Sequence, residues 1–504
     1  MKNIALCLNK FINIILLITG FIFSIFSIGR LNIFISIYIW PFCFLNYLHK
    51  NDTKILPCII VTLCILFSNM IRWIGASGSN FFSDLFWGGY FSLINIIPFI
   101  IDTIFYNKIS KCKSIFLFPL SVAFCEFLFS FSLIANVNIY AYAHREDTQY
   151  MQIASLFGCY FLSFVISLFS SILDYIINSY SKENNIIIFI YIYSFIILII
   201  YFYGNIRLLI PDNNGSFNVA STLGVSQSLY EHGNESILPI DKYIEYINST
   251  MKRANDSKAS IITYAEEGFA VEKKNKEELI NKVKNLSKYY SIFTLITLDV
   301  LHDSENINSN EAILISDEGT ILYNYQKQHL VPIIESDYSR KKNEVKTLET
   351  KLGKISVVIC YDINFLYFMN TLSRDHIDLL LMPSWDWPEI TEFHTNNAKF
   401  RAIEGGFNLI KNTCNGILLA SDYKGRTLSY FIGKDYEDYF IVSTFDKKGT
   451  ITLYSYISIF FNYIYLVAIV CILISQVIEN RYCKARRISK VIYKERLSDM
   501  CTED

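Results

Sequence analysis

Charge is scarce in this chain. Asp, Glu, Lys and Arg make up 18% of its 504 residues and hydrophobic residues 52%, whereas a soluble globular protein carries roughly 25% charged residues. Mean hydropathy is positive, so much of the chain belongs in lipid. The net charge of −1 leaves no basic excess to attract nucleic acid. The 12 cysteines are scattered, with no CxxC pair and no metal-ligand spacing. Ten of them lie in apolar segments, their flanks or the tail, where cysteine acts as a small apolar filler. Only Cys360 and Cys414 fall in a large polar block. There is no Gly-rich phosphate loop and no HExxH, so neither a cofactor nor a metal is expected. Repeats and low-complexity linkers are also missing.

Long apolar runs are plentiful. They occupy about 11–29, 31–48, 55–71, 85–105, 115–135, 151–179 and 186–210, and a last one runs from Ile451 to Val477. A span needs about 20 apolar residues, so about eight spans are expected, the second and third being short. The first reads as an uncleaved signal anchor, since no small-residue cleavage site follows it. Basic residues give the orientation. With the N-terminus inside, the inside loops hold Lys50 and Lys54, then Lys108, Lys111 and Lys113, then Lys182. The outside loops hold only Arg30, Arg72 and Arg145. The tail, with Arg481, Lys484, Arg486 and Arg487 among its basic residues, also falls inside. The resulting domains are 1–210 (membrane, about seven spans), 211–450 (a polar block outside), 451–477 (the last span) and 478–504 (a basic cytoplasmic tail).

Within the polar block, strand and helix patterns alternate. Strands are expected at Phe217–Val225, Ser260–Tyr264, Ser291–Asp299, Lys354–Cys360 and Asp378–Met382. Helices are expected at Lys242–Asn255, Lys276–Tyr290, Asn364–Arg374 and Glu392–Gly405. A hairpin joins Ala312–Ser316 to Thr320–Tyr325, and two or three strands close the block around the turn at 422–426. Such alternation argues an α/β layer fold.

Four positions follow strands, where α/β folds keep their sites. They are Glu266 with Glu267, Lys327, Cys360, and Trp385-Asp386-Trp387. A thiol nucleophile needs a base to form thiolate, and a cation or backbone donors to hold an oxyanion. Taken singly, a cysteine ending a buried strand is more often packing, and a lone glutamate or lysine in a loop is ordinarily solvated.

Their order and local sequence carry more. Glu266, then Lys327 in Lys-Gln-His-Leu-Val-Pro, then Cys360 in Ile-Cys-Tyr-Asp, then Arg401-Ala-Ile-Glu404, resembles the nitrilase (carbon–nitrogen hydrolase) superfamily. The membrane frame resembles its apolipoprotein N-acyltransferase family, down to Phe118-Pro119, Glu126 and the segment Gln149–Leu168 with Gly158. The resemblance implies a membrane α-helical bundle plus an extracytoplasmic α/β nitrilase-like αββα sandwich. It implies Glu266 as general base, Lys327 as oxyanion holder and Cys360 as nucleophile. Glu335, Tyr361 and Asp362 would support the site, with Glu267 beside the base. Arg401 and Glu404 would be structural. Trp385 and Trp387 would line the substrate path, and Tyr230 would stand at the cavity mouth.

The implied reaction moves an acyl chain from a phospholipid, through a thioester on Cys360, to the terminal amine of a diacylated lipoprotein. The implied enzyme is a monomer in a bacterial inner membrane. Departures from the family pattern are Ala265 and Glu267 around the base, Ile333-Ile334 before Glu335, Asp362 for a glutamate, and Ser384-Trp385-Asp386-Trp387-Pro388. The adjacent acids leave open which one is the base. Competing readings are a membrane-anchored amidase using water, and an inactive lipid-binding or transport relative.

Overall fold

A continuous apolar run can satisfy its backbone in lipid only as a helix, and the N-terminal runs do so. The computed structural model describes residues 2–500 apart from 52, 77–80, 180–185, 212–214, 226–236, 303–306, 341–343 and 434–437. Lys182 and Tyr230 therefore lie outside the described residues. The bundle comprises α1 (Lys2–Ile25), α2 (Ser36–Lys50), α3 (Ile55–Trp73), α4 (Phe81–Phe105), α5 (Lys111–Phe129), α6 (Cys159–Ser179) and α7 (Ile186–Leu209). Seven described helices are long and apolar enough to cross a membrane, namely these without α2, together with the C-terminal one.

The expected second span, 31–48, is the short one. It forms a helix of 15 residues, about 22 Å long at 1.5 Å per residue, against a hydrocarbon core of about 30 Å. It still runs the length of the bundle. The turn before it meets the polar block, with Arg30 Nη1 3.6 Å from Glu389. Its last turn holds His49 between Asp102 and Asp174, 2.6 Å from each. Trp40 and Phe44 are buried in the bundle core, so this helix sits among other helices rather than against lipid.

The expected span 151–179 is also broken. Two single-turn helices, Thr148–Met151 and Ala154–Phe157, precede α6. The break is Gly158, at φ +77°, where a Cβ would lie 2.4 Å from the Tyr454 ring. Only glycine takes that backbone and leaves that space.

The polar block contains β1 (Ser216–Thr222), β2 (Ala259–Tyr264), β3 (Phe269–Glu272), β4 (Phe293–Leu301), β5 (Ser309–Ile315), β6 (Ile321–Gln326), β7 (Leu348–Thr350), β8 (Gly353–Val357), β9 (Leu379–Trp385), β10 (Asn408–Cys414), β11 (Ile417–Ser421), β12 (Thr427–Ile432) and β13 (Phe440–Asp446). One sheet has the order β13-β1-β2-β4-β5-β6, with β3 on β4, and the other β12-β11-β10-β9-β8-β7. Neighbours β1-β2-β4 and β8-β9-β10 are parallel. The sheets face each other, tied by Asn412 Nδ2, which donates to the carbonyls of Thr222 and Thr263.

Helices α8 (Ile240–Asp256) and α9 (Lys276–Tyr290) cover the first sheet, burying Ile247, Met251, Leu279 and Val283. Helices α10 (Leu366–Arg374) and α11 (Thr391–Gly405) cover the second. This is the αββα sandwich. Strands β3 and β7 were not expected, and four strands rather than two or three close the block. The last apolar run is two helices, α12 (Leu453–Asn462) and α13 (Ile464–Met500), the second continuing through the basic tail.

Helix α11 is mostly polar yet buried on every side, because it lies between the second sheet and the membrane bundle. Glu404 Oε1 accepts from the Cys159 N–H at the start of α6 at 2.7 Å. Its other oxygen accepts from Arg401 Nη1 at 2.5 Å. Arg145 reaches back to Glu392 at 2.6 Å, and Tyr142 bonds Asn397. The Arg-Ala-Ile-Glu segment thus bolts the sandwich to the bundle.

Candidate active site

The parallel strands of the two sheets point their carboxyl ends toward one place, and the loops after them converge there. Glu266 follows β2, Lys327 follows β6, Cys360 lies three residues past β8, and Asp386 follows β9. Strand β8 ends at Val357, not at Cys360 as expected. The chain leaves the sheet and Cys360 takes φ +44°, a left-handed backbone uncommon for a residue with a Cβ. That turn puts the thiol into a cavity of about 330 Å³ that Glu266, Lys327 and Glu335 also line.

Lys327 is the hub. Its Nζ lies 2.7 Å from Glu266 Oε1 and 2.5 Å from Glu335 Oε1. Glu335 also accepts from the Val331 N–H at 2.6 Å, so its loop is pinned although Ile333-Ile334 stand in it. Burial works against the Lys327 ammonium, but Glu266 and Glu335 outweigh it and hold it well above its ordinary value. It is a permanent cation. Burial pushes the Cys360 thiol well above its ordinary value, the Glu266 carboxylate adds to the rise, and Lys327 opposes it. Burial thus favours the protonated thiol, so any attack by Cys360 would require its proton to be removed.

The structure separates the adjacent acids. Glu266 contacts Lys327 and is the carboxylate that acts most strongly on Cys360. Glu267, at φ +54°, is turned to Asn310 and accepts from its Nδ2 at 2.9 Å. The same Asn310 amide donates to Glu266 at 2.7 Å. Burial raises Glu266 above the usual carboxylate range, with Lys327 pulling it back. Burial raises Glu267 much further, with Asp299 and Glu266 adding to it. Of the two, Glu266 is the acid paired with Lys327, and Glu267 is the one raised further.

That difference has a measurable consequence. A carboxyl raised in the folded state binds its proton more tightly than in the unfolded chain, where glutamate titrates near about 4.3. The native state then holds more protons, and stability falls as pH rises above that unfolded value. Replacing Glu267 by Gln keeps an acceptor for Asn310 and removes the titration. We expect the melting temperature of the variant to fall less than that of the wild type between pH 5 and pH 8. Parallel slopes would mean that Glu267 is ionised in the fold.

Other expected residues are distributed around this centre. Tyr361 lines the cavity, and its hydroxyl bonds the Ile134 carbonyl in the loop after α5. Asp362 is fully buried and turned to the neighbouring loop. Its Oδ1 accepts from the His329 N–H at 2.9 Å and its Oδ2 from the Tyr325 hydroxyl at 2.6 Å. Trp385 and Trp387 line the cavity, Trp385 as the last residue of β9 rather than in the loop after it. The opposite wall comes from the membrane, as Trp73 of α3 and Trp87 and Phe91 of α4. Trp73 stacks between Phe91 and Phe393, at 4.3 and 4.6 Å between ring centres.

Sequence reading missed Asn310, His394 and Lys411. His394 Nε2 lies 3.1 Å from the Cys360 carbonyl and its Nδ1 2.8 Å from Asp386, while Lys411 is paired with Asp386. The departure Ser-Trp-Asp-Trp drew attention to the tryptophans rather than to the acid between them.

Residues 240–450 match the carbon–nitrogen hydrolase family. The apolipoprotein N-acyltransferase of Borreliella burgdorferi is 23% identical over 418 residues, covering 73% of this chain and 78% of that one. Apolipoprotein N-acyltransferase 2 of Treponema denticola is 24% identical over 329 residues, covering 56% and 61%. A protein called hydrolase in agr operon, from Staphylococcus lugdunensis, is 28% identical over 179 residues, covering 34% and 73%. The similarity to the two acyltransferases covers more of the chain than the hydrolase-like block does. Residues 240–450 thus form a carbon–nitrogen hydrolase domain, carried on a chain with seven described helices apolar enough to cross a membrane, and the whole is similar to the apolipoprotein N-acyltransferases.

Proposed function

We propose that this chain transfers a fatty acyl group from a membrane phospholipid to the terminal amine of a diacylated lipoprotein, through a thioester on Cys360. The observation that carries the reading is the cavity itself. A thiol, a buried cation and a carboxylate stand on one side, and Trp73, Trp87 and Phe91 of membrane helices stand on the other. An acyl chain costs about 0.8 kcal/mol per CH₂ to bring into water. A site acting on such chains gains by taking its wall from the bundle, whereas an enzyme for small polar amides has no use for one.

In the first half-reaction Glu266 takes the thiol proton as Cys360 sulfur attacks the ester carbonyl. A carbon–sulfur bond forms, and the oxyanion is held by Lys327 and by backbone N–H groups at the turn. The carbon–oxygen bond then breaks, and the proton on Glu266 passes to the leaving alkoxide of the lysophospholipid. In the second half-reaction the amine attacks the thioester and Glu266 takes its proton. The carbon–sulfur bond breaks, and the proton returns to the Cys360 thiolate. This is ping-pong covalent catalysis.

Orientation follows from charge. Lys50, Lys54, Lys108, Lys111 and Lys113 lie at the end of the bundle away from the sandwich. The positive-inside rule puts that end in the cytoplasm and the catalytic block outside, in a bacterial inner membrane. That is the side on which secreted lipoproteins present their amine.

The test is intact-mass spectrometry of the protein incubated with phospholipid, beside Cys360→Ala. A fatty-acyl increment confined to wild type and removed by hydroxylamine supports the thioester. A diacylated lipopeptide should then discharge it. Free fatty acid in place of acylated peptide would assign water as the acceptor, and no adduct at all in folded protein would sink the reading.

A further inference from the structure

We propose that His394 is a positioning residue for the nucleophile, holding the peptide unit between Cys360 and Tyr361 so that its N–H faces the developing oxyanion. The inference rests on Cys360 being the acylated residue, and it names a part that the Glu-Lys-Cys set leaves out.

The observation is a chain of buried contacts that ends on the backbone of the nucleophile. Lys411, on the central strand β10, pairs with Asp386 and donates to the Ile417 carbonyl at 2.9 Å. Asp386 also accepts from the Thr391 hydroxyl at 2.9 Å. With Lys411 and Thr391 on one oxygen, its other oxygen meets His394 Nδ1 at 2.8 Å. The far side of the ring, Nε2, meets the Cys360 carbonyl at 3.1 Å. Lys411, Asp386 and His394 are all buried. Burial alone would raise the Asp386 carboxyl, but Lys411 and His394 hold it well below its ordinary range, so the post that anchors the ring is an ion.

The carbonyl it reaches is an unusual one. Cys360 is at φ +44°, and a residue held in that region costs on the order of 1–3 kcal/mol unless its surroundings fix it. A hydrogen bond to its carbonyl is a direct way to fix it. The same peptide plane carries the Tyr361 N–H, which points opposite to the carbonyl in a trans unit. Holding the carbonyl toward α11 turns that N–H to the other side. Cys360 and Tyr361 both line the cavity, so the N–H joins Lys327 as a donor to the oxyanion. His394 also lines the cavity, with a ring nitrogen within 4.8 Å of the Cys360 sulfur, but in this scheme it bonds neither substrate nor leaving group. It acts through the backbone.

The experiment separates positioning from mere support. Wild type, His394→Ala and His394→Gln are each reacted with 4-nitrophenyl butyrate, and acyl-enzyme formation is followed for kcat and KM. In parallel, alkylation by iodoacetamide is read at the Cys360 peptide. Alkylation needs the thiol but develops no oxyanion. Losing one oxyanion donor costs about 10²–10³-fold. We expect His394→Ala to lose about 10²-fold in kcat with KM unchanged and alkylation near the wild-type rate. His394→Gln retains an N–H at the position of Nε2 and should recover most of the loss.

Acylation at the wild-type rate in His394→Ala would overturn the assignment. So would a fall in alkylation as large as the fall in acylation, or a Gln variant no better than Ala at equal melting temperature. The ester is not a lipid. A wild type acylated by it but not by phospholipid therefore counts against the lipid donor alone, and the His394 comparison still stands.

Discussion

Lys327→Met should fold poorly and acylate hardly at all. The side chain is 1% exposed and its ammonium bridges Glu266 and Glu335. Carboxylate oxygens of Glu266, Glu267 and Glu335 lie within 4.8 Å of one another. A methionine of similar reach leaves that cluster without its cation. Removing one partner of a buried pair costs about 3–5 kcal/mol, and with Lys327 in its proposed role at the oxyanion its loss adds a factor of about 10²–10³ in rate. Glu266, already raised by burial, loses the charge that pulls it back and rises further. The variant's native state then holds extra protons, so its stability falls as pH rises above the unfolded glutamate value. The expected result is a melting temperature nearer to wild type at pH 5 than at pH 8, with acylation by 4-nitrophenyl butyrate lost at both. Wild-type acylation rates in a folded Lys327→Met would remove the lysine from the chemistry.

Glu404→Ala should separate the two halves of the molecule without touching the cavity. Glu404 carries two tasks on its two oxygens, the Arg401 guanidinium and the first N–H of α6. Arg401 is 1% exposed, so removing its partner strands a charge at a cost of about 3–5 kcal/mol. The orphaned N–H of Cys159 adds a smaller loss. For a domain of about 200 residues each kcal/mol lowers the melting temperature by about 2–4 °C. A drop on the order of 10 °C, measured in detergent by size-exclusion chromatography after heating, is the expected outcome. Glu404→Gln keeps the acceptor for α6 and should fall between. A Glu404→Ala protein as stable as wild type would show that this contact does not hold the sandwich to the bundle.

The sandwich was legible wherever period and composition agreed. Helix α9 was expected at the residues where it is found, since Leu279, Ile280 and Val283 share one apolar face. Strand β5 was expected only from Ala312, because Ser309-Asn310-Glu311 read as loop. Those polar residues are nonetheless buried in the sheet, and Asn310 serves the two acids there. Helix α11 hid His394 for a related reason. Lying between a sheet and a bundle, it has no solvent face to set a period, so His394 looked like one polar residue among many. The spans were legible by length, except where α2 escapes the length rule by being enclosed. Glu266, Lys327 and Cys360, which line one cavity, were singled out by local motif and order. Their neighbours were not, since the Asp386–His394–Cys360 chain joins strand, helix and turn across a sequence separation that no local pattern marks.

The last membrane helix has a bearing on how the enzyme comes into being. The Thr452 hydroxyl donates to the Glu404 carbonyl, the Thr450 N–H donates to the Gly406 carbonyl at 2.6 Å, and the Tyr454 ring lies against Gly158. All three contacts meet the α11–α6 junction from a segment that the ribosome makes after the sandwich. Translation therefore delivers a catalytic block whose seat is unfinished. The junction gains its last contacts only from the final segment, so completing this seat is tied to completing the chain.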